Sequence, residues 1–219
     1  MDVVRTWAAA GLAAALALLP AADAGAARPA PAGAAGDAAG AARTAGRVPG
    51  TYGLAAAGAF ARPGTFAAPS AVTYAPELVP PGARVAVGQR VSGGRTTVEL
   101  RVRGAAPGRA FGAHVHTGAC GPDPADAGPH YQDAVDPVRP STDPAYANPA
   151  NEVWLDFATD ASGDGGAVAR QEWTFRPGQA RSVVLHEHRT ATGPAGAGQA
   201  GARLACFTVP FVPRAAGGR

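Results

Sequence analysis

Five histidines fall between residues 114 and 188, and no other position of the 219-residue chain carries one. Two of them read His114-Val115-His116. Side chains of a β-strand alternate between faces, so residues i and i+2 project the same way, with Cα atoms about 6.6 Å apart. At that spacing two imidazoles can reach one metal ion. Imidazole suits copper, zinc, iron and nickel alike. A lone pair of this kind is just as often a satisfied structural pair, so the surrounding segments must decide.

Those segments read as strands. Val85–Val91 and Thr97–Arg103 alternate apolar and polar residues, with Ser92-Gly93-Gly94 as a hairpin turn between them. Further candidate strands are Ala110–His116, Val153–Thr159, Ala167–Phe175, Ser182–Glu187 and Arg203–Val209, with a turn over residues 160–166. No segment shows a 3.6-residue apolar period. Repeated short strands with turn signals predict an all-β sandwich or barrel. Two long irregular stretches, 117–150 and 188–202, leave from the histidine-bearing segments. Loops of such length inside a compact domain are usually functional or disordered, and their point of departure favours function.

The N-terminus reads as an export signal over residues 1–24. Arg5 precedes an apolar run from Trp7 to Leu19, Pro20 breaks it, and Ala22-Asp23-Ala24 fits a small-x-small cleavage site. The run is short for a transmembrane helix, so none is expected in the mature chain. Residues 25–69 are expected to be a disordered Ala/Gly/Pro-rich linker, with the folded domain spanning 70–213. The net charge is +3, and no basic run is interleaved with aromatics, which argues against a nucleic-acid partner. In an exported chain Cys120 and Cys206 favour a disulfide. Such a bridge would close a loop of about 85 residues, worth on the order of 4 kcal/mol. Two free buried thiols are the alternative.

Four pieces line up in order: Gly112-Ala-His-Val-His-Thr-Gly-Ala-Cys120, Gly128-Pro-His-Tyr131, Ser182-Val-Val-Leu-His-Glu187 and Gly201-Ala-Arg-Leu-Ala-Cys206. This order resembles the Cu/Zn superoxide dismutase family over roughly residues 70–210. The resemblance implies an eight-stranded Greek-key β-barrel or flattened sandwich with two long loops. It implies copper ligation by His114, His116, His130 and His186. Arg203 matches the arginine that guides the superoxide anion, and Cys120 and Cys206 match the family disulfide.

One departure stands out. In the zinc-containing family the third of these histidines bridges copper and zinc, and two more histidines and an aspartate complete the zinc site. Between His130 and His186 this chain has no histidine. The zinc-binding subloop then has at most His130, Asp133, Asp136, Asp143, Glu152 or Asp156 to offer, a poor donor set for structural zinc. The second loop is also short and almost uncharged. Both features resemble the copper-only branch of the family, so copper is the expected cofactor and zinc is doubtful. In the zinc-containing family the bridging histidine takes a proton when copper is reduced, which gives His130 a catalytic role here. A carboxylate, Glu152 or Asp156, is expected to orient its far nitrogen.

His188 follows His186 by two residues; it is either a fifth ligand or a rim histidine near the site. Tyr131, Trp154 and Trp173 are expected to pack in the core or loops, and Glu187 to anchor a loop. The expected function is an exported superoxide dismutase. The alternatives are a non-enzymatic copper-binding or storage module on the same fold and a metal-free structural β-domain.

Overall fold

The computed structural model describes residues 51–64, 69–194 and 196–212. The expected export signal lies outside the described residues. Among the described residues nine strands run in the order β1 (Tyr52–Ala59), β2 (Ala71–Thr73), β3 (Arg84–Ser92), β4 (Arg95–Arg103), β5 (Ala110–His116), β6 (Phe157–Ala158), β7 (Gly165–Gln171), β8 (Ser182–His186) and β9 (Arg203–Thr208). They form a four-stranded sheet, β1-β3-β4-β7, and a five-stranded sheet, β2-β9-β8-β5-β6. All pairings between these strands are antiparallel. The architecture is the flattened sandwich; the two sheets do not close into a barrel. Among the described residues no helix is long and apolar enough to cross a membrane.

The β3–β4 hairpin forms as its pattern predicts. Val85, Val87 and Val91 of β3, and Val98, Leu100 and Val102 of β4, face the core, while alternate positions face solvent. Gly93 and Gly94 turn the chain with φ of 58° and 80°. A two-residue hairpin turn of this kind needs positive φ at both positions, which glycine adopts without steric cost.

Strand β1 corrects the expectation that residues 25–69 form a linker. Tyr52–Ala59 pairs with β3 along its whole length, from Tyr52 opposite Val91 to Ala59 opposite Arg84. Its sequence, Tyr-Gly-Leu-Ala-Ala-Ala-Gly-Ala, does alternate inward and outward. Alanine and glycine at both sets of positions erase the apolar contrast that reveals a strand.

The segment expected as a strand over Val153–Thr159 is regular only at Phe157–Ala158. Upstream it runs beside β5 through single contacts, with Leu155 N donating to Ala113 O at 2.7 Å. Even so, its alternation holds: Val153, Leu155 and Phe157 join the core. The second loop is more regular than its composition suggests. Glu187 N bonds Ala202 O, His188 N bonds Ala200 O and Ala191 N bonds Gln199 O. It folds back as a hairpin extension of β8 and β9. Gly112 admits it: a Cβ there would stand 2.8 Å from the Ala200 Cβ and clash with the His188 carbonyl.

Candidate metal centre

Strand β5 is buried on both faces. Phe111, Ala113 and Val115 pack in the core. The alternate positions, Gly112, His114 and His116, therefore face the other way, under the two loops. Register places His186, the last residue of β8, opposite Gly112. His130 belongs to the first loop, where an isolated antiparallel bridge sets it against His116.

The four rings converge. His114 lies 4.0 Å from His130 and 4.9 Å from His186 between centroids, and His116 lies 4.8 Å and 5.4 Å from the same two rings. One ligand atom from each falls within 4.8 Å of the others. His114, His116 and His186 are buried and His130 is half-buried.

In each ring one nitrogen is held and the other is free to coordinate. His116 Nδ1 lies 2.9 Å from Gly128 O and His186 Nδ1 lies 3.4 Å from Gly201 O. A carbonyl only accepts, so both rings donate from Nδ1 and keep a lone pair on Nε2. His130 Nδ1 lies 2.8 Å from Glu152 Oε2, again leaving Nε2. His114 is reversed: its Nε2 meets Thr190 Oγ1 at 2.7 Å, and its Nδ1 is buried without any partner.

Burial pushes His114 and His116 well below the ordinary histidine value, and the neighbouring His130 adds to the effect. The same two causes bring His186 down to about 3. These imidazoles are neutral, as metal ligands must be. The Nε2 atoms of His116 and His186 stand 3.2 Å apart with their lone pairs toward each other. Two facing lone pairs and an orphaned buried Nδ1 are costly alone, and a shared cation satisfies all three. The donor set thus fits a soft-to-borderline metal that favours imidazole.

Glu152, 1% exposed, is the carboxylate that meets His130. Its Oε2 also accepts from Trp154 Nε1 at 2.8 Å, and its Oε1 from Gln132 Nε2 at 2.8 Å. Asp156, the other candidate, does not contact His130. Its Oδ2 accepts from Thr190 N at 2.7 Å and its Oδ1 from the Thr190 hydroxyl at 2.6 Å. Alternation does not separate the two, since residues 152 and 156 share a face; the bridge between Gln132 and Glu152 holds Glu152 beside the first loop, while Asp156 meets Thr190 of the second.

The other acidic residues serve the first loop itself. Asp136 accepts from Val138 N and the Ser141 hydroxyl, Asp143 accepts from Ala145 N, and Asp133 lies 3.9 Å from Arg176. Among the described residues, the four histidines are the one group of three or more potential ligands. His188 stands outside that group, two-thirds exposed beside Glu187. Strand β8 ends at His186, so strand alternation does not carry on to His188.

Arg203 begins β9 opposite His186. Its guanidinium donates to Pro124 O at 2.8 Å and to Gly128 O at 2.7 Å. Gly128 O therefore holds both Arg203 and the metal-facing His116. Cys120 and Cys206 form a disulfide, Cα atoms 5.6 Å apart, which ties this loop to β9. A cavity of about 330 Å³ opens onto His130, His186 and Arg203.

Two residues here escaped the sequence reading, and a third does more than was expected of it. Arg139, from the first loop, lines the same cavity. It is exposed and has no hydrogen bond or ion pair among the described residues. Thr190 holds His114. Trp154 donates to Glu152 and stands edge-on to His114 at 6.0 Å, beyond the packing role expected of it. For Trp154 the signal was its i+2 spacing from Glu152, which puts the two on one face; Arg139 and Thr190 lie in loops without periodicity.

A two-sheet β-sandwich with four converging imidazoles beneath two loops, and an arginine at their cavity, defines a metal-binding protein of the all-β class. The family model described as copper/zinc superoxide dismutase (SODC) matches residues 83–209, and the chain belongs to that family. Similar solved structures include the Cu/Zn superoxide dismutase from Brucella abortus, at 22% identity and TM-score 0.44, covering 58% of this chain and 90% of that one. A double mutant of a SOD-like protein from Bacillus subtilis matches at 16% identity and TM-score 0.43, covering 56% of this chain and 86% of that one. A single mutant of the same Bacillus subtilis protein matches at 16% identity and TM-score 0.44, covering 57% and 88%. No curated protein matches the chain significantly.

Proposed function

We propose that the protein is an exported, copper-dependent superoxide dismutase of the copper-only type. The observation that carries this reading is the set of four imidazoles, each with one nitrogen held and the other turned to a common point. Copper bound there supplies a one-electron cycle that oxidises one superoxide to O2 and reduces a second, with two protons, to H2O2.

The chain's own residues do the rest. Arg203, half-buried and oriented by two carbonyls, draws the anion into the cavity. Arg139 adds a second positive charge to the same cavity, so Arg203 does not act alone. Glu152 keeps a proton on His130 Nδ1 and aims Nε2 at the other rings. That proton stands where a zinc ion would need the same nitrogen, which supports the copper-only reading. The disulfide and the leader-like N-terminus support an extracytoplasmic location.

The test is copper and zinc content of the purified protein together with superoxide decay on the same sample. Near-stoichiometric copper, little zinc and decay faster than an equal amount of free copper are expected. Full activity without metal would overturn the proposal. Copper-loaded protein no faster than free copper would assign the chain to the binding or storage reading instead.

A further inference from the structure

The second loop touches the metal-facing histidines through a hydroxyl. Thr190 Oγ1 lies 2.7 Å from His114 Nε2 and 2.6 Å from Asp156 Oδ1. The Thr190 backbone N–H donates to Asp156 Oδ2 at 2.7 Å, and Ala113 N donates to Oδ1 at 3.3 Å. A carboxylate only accepts, and a hydroxyl has one proton to give. The Thr190 hydroxyl therefore donates to Asp156 and accepts from His114 Nε2–H. With Nε2 so engaged, the lone pair of the ring lies on Nδ1, the atom buried without a partner.

We propose that Thr190 is a positioning residue. It transmits the charge of Asp156 to His114, aims Nδ1 at the metal, and couples the conformation of the second loop to metal affinity. The inference rests on the reading of His114 as a metal ligand, not on the dismutase activity. The coupling has a physical basis in two bonds from one residue. Thr190 holds Asp156 with both its backbone N–H and its hydroxyl, so moving the loop at residue 190 releases the carboxylate and the imidazole together. By linkage, whatever orders the loop strengthens metal binding, and metal binding orders the loop equally.

Thr190→Val removes the hydroxyl at nearly constant volume, and Thr190→Ser restores it. In the metal-free protein, the His114 Nε2–H resonance is expected to be protected from exchange in the natural chain and in Thr190→Ser, and exposed to exchange in Thr190→Val. Copper affinity, measured by competition with a chelator, is expected to fall about 10- to 100-fold in Thr190→Val and to return in Thr190→Ser. If Thr190→Val keeps a protected Nε2–H, or keeps copper affinity within about twofold, the proposal is wrong. The same holds if Thr190→Ser fails to restore either. A chain that binds copper in this Thr190-dependent way but does not accelerate superoxide decay would defeat the dismutase reading and leave this one intact.

Discussion

At the scale of the residue, the site is defined by which nitrogen of each ring is occupied. His116 and His186 hold their Nδ1 protons on loop carbonyls and face each other through Nε2. His116→Ala is expected to abolish copper binding and superoxide decay together, as seen by metal analysis and assay of one preparation. Glu152 gathers three donors from His130, Trp154 and Gln132 in an almost fully buried position. Glu152→Ala strands all three, and each unsatisfied buried group costs about 1–3 kcal/mol. A lower melting temperature of the metal-free protein, with weaker copper binding, is the expected result. An unchanged melting curve would mean that water replaces the carboxylate. The four ring-bearing positions and Arg203 were legible from motif order. The choice between Glu152 and Asp156 was not, because both are acidic residues of one short segment and only the pairing of that segment separates them.

At the scale of the element, strand β5 and the two loops decide the site. The β5 alternation alone put His114 and His116 on one face. His130 arrives by a bridge from the first loop, and His188, beyond the end of β8, stands exposed. The loops also set the electrostatics. Arg203 is held by two carbonyls of the first loop, whereas Arg139 is exposed on that same loop. Arg203→Gln and Arg139→Gln are each expected to lower kcat/KM for superoxide and to flatten its dependence on ionic strength, since both charges act through a screened field. The larger loss is expected for Arg203, which is oriented next to His186. An Arg139→Gln rate curve that overlays the natural one at every salt concentration would remove Arg139 from the steering role.

At the scale of the whole molecule, the disulfide and the buried histidines govern stability. Replacing Cys120 and Cys206 with serine opens a loop of 86 residues. The expected loss is on the order of 4 kcal/mol, read by chemical denaturation. The pH dependence follows from three imidazoles kept neutral by burial. Below about pH 6.5 the unfolded chain takes up protons that the folded chain refuses. The unfolded state then binds more protons, so stability falls as pH falls. For His186 the loss continues down to about pH 3. Each of the three contributes up to about 1.4 kcal/mol per pH unit across its window. Metal-free protein is therefore expected to denature at lower urea concentration at pH 5 than at pH 7; equal midpoints would mean the rings protonate in place.

The order of residue types along the chain determined the class of fold, the four histidines that come together and the pairing of the cysteines, because strand alternation and motif order are local or sequential properties. Strand β1 escaped, since Ala and Gly on both faces carry no contrast. The tertiary structure decided what depends on distant segments meeting. Glu152 rather than Asp156 takes His130, Thr190 stands between Asp156 and His114, and Arg139 shares the cavity with Arg203. Each of these contacts joins a loop residue to a position 22 to 76 residues away or belongs to a cavity wall built from both loops. Loops lack the periodicity that lets a sequence announce where a side chain points, so only their packing against β5 and β8 could assign those roles.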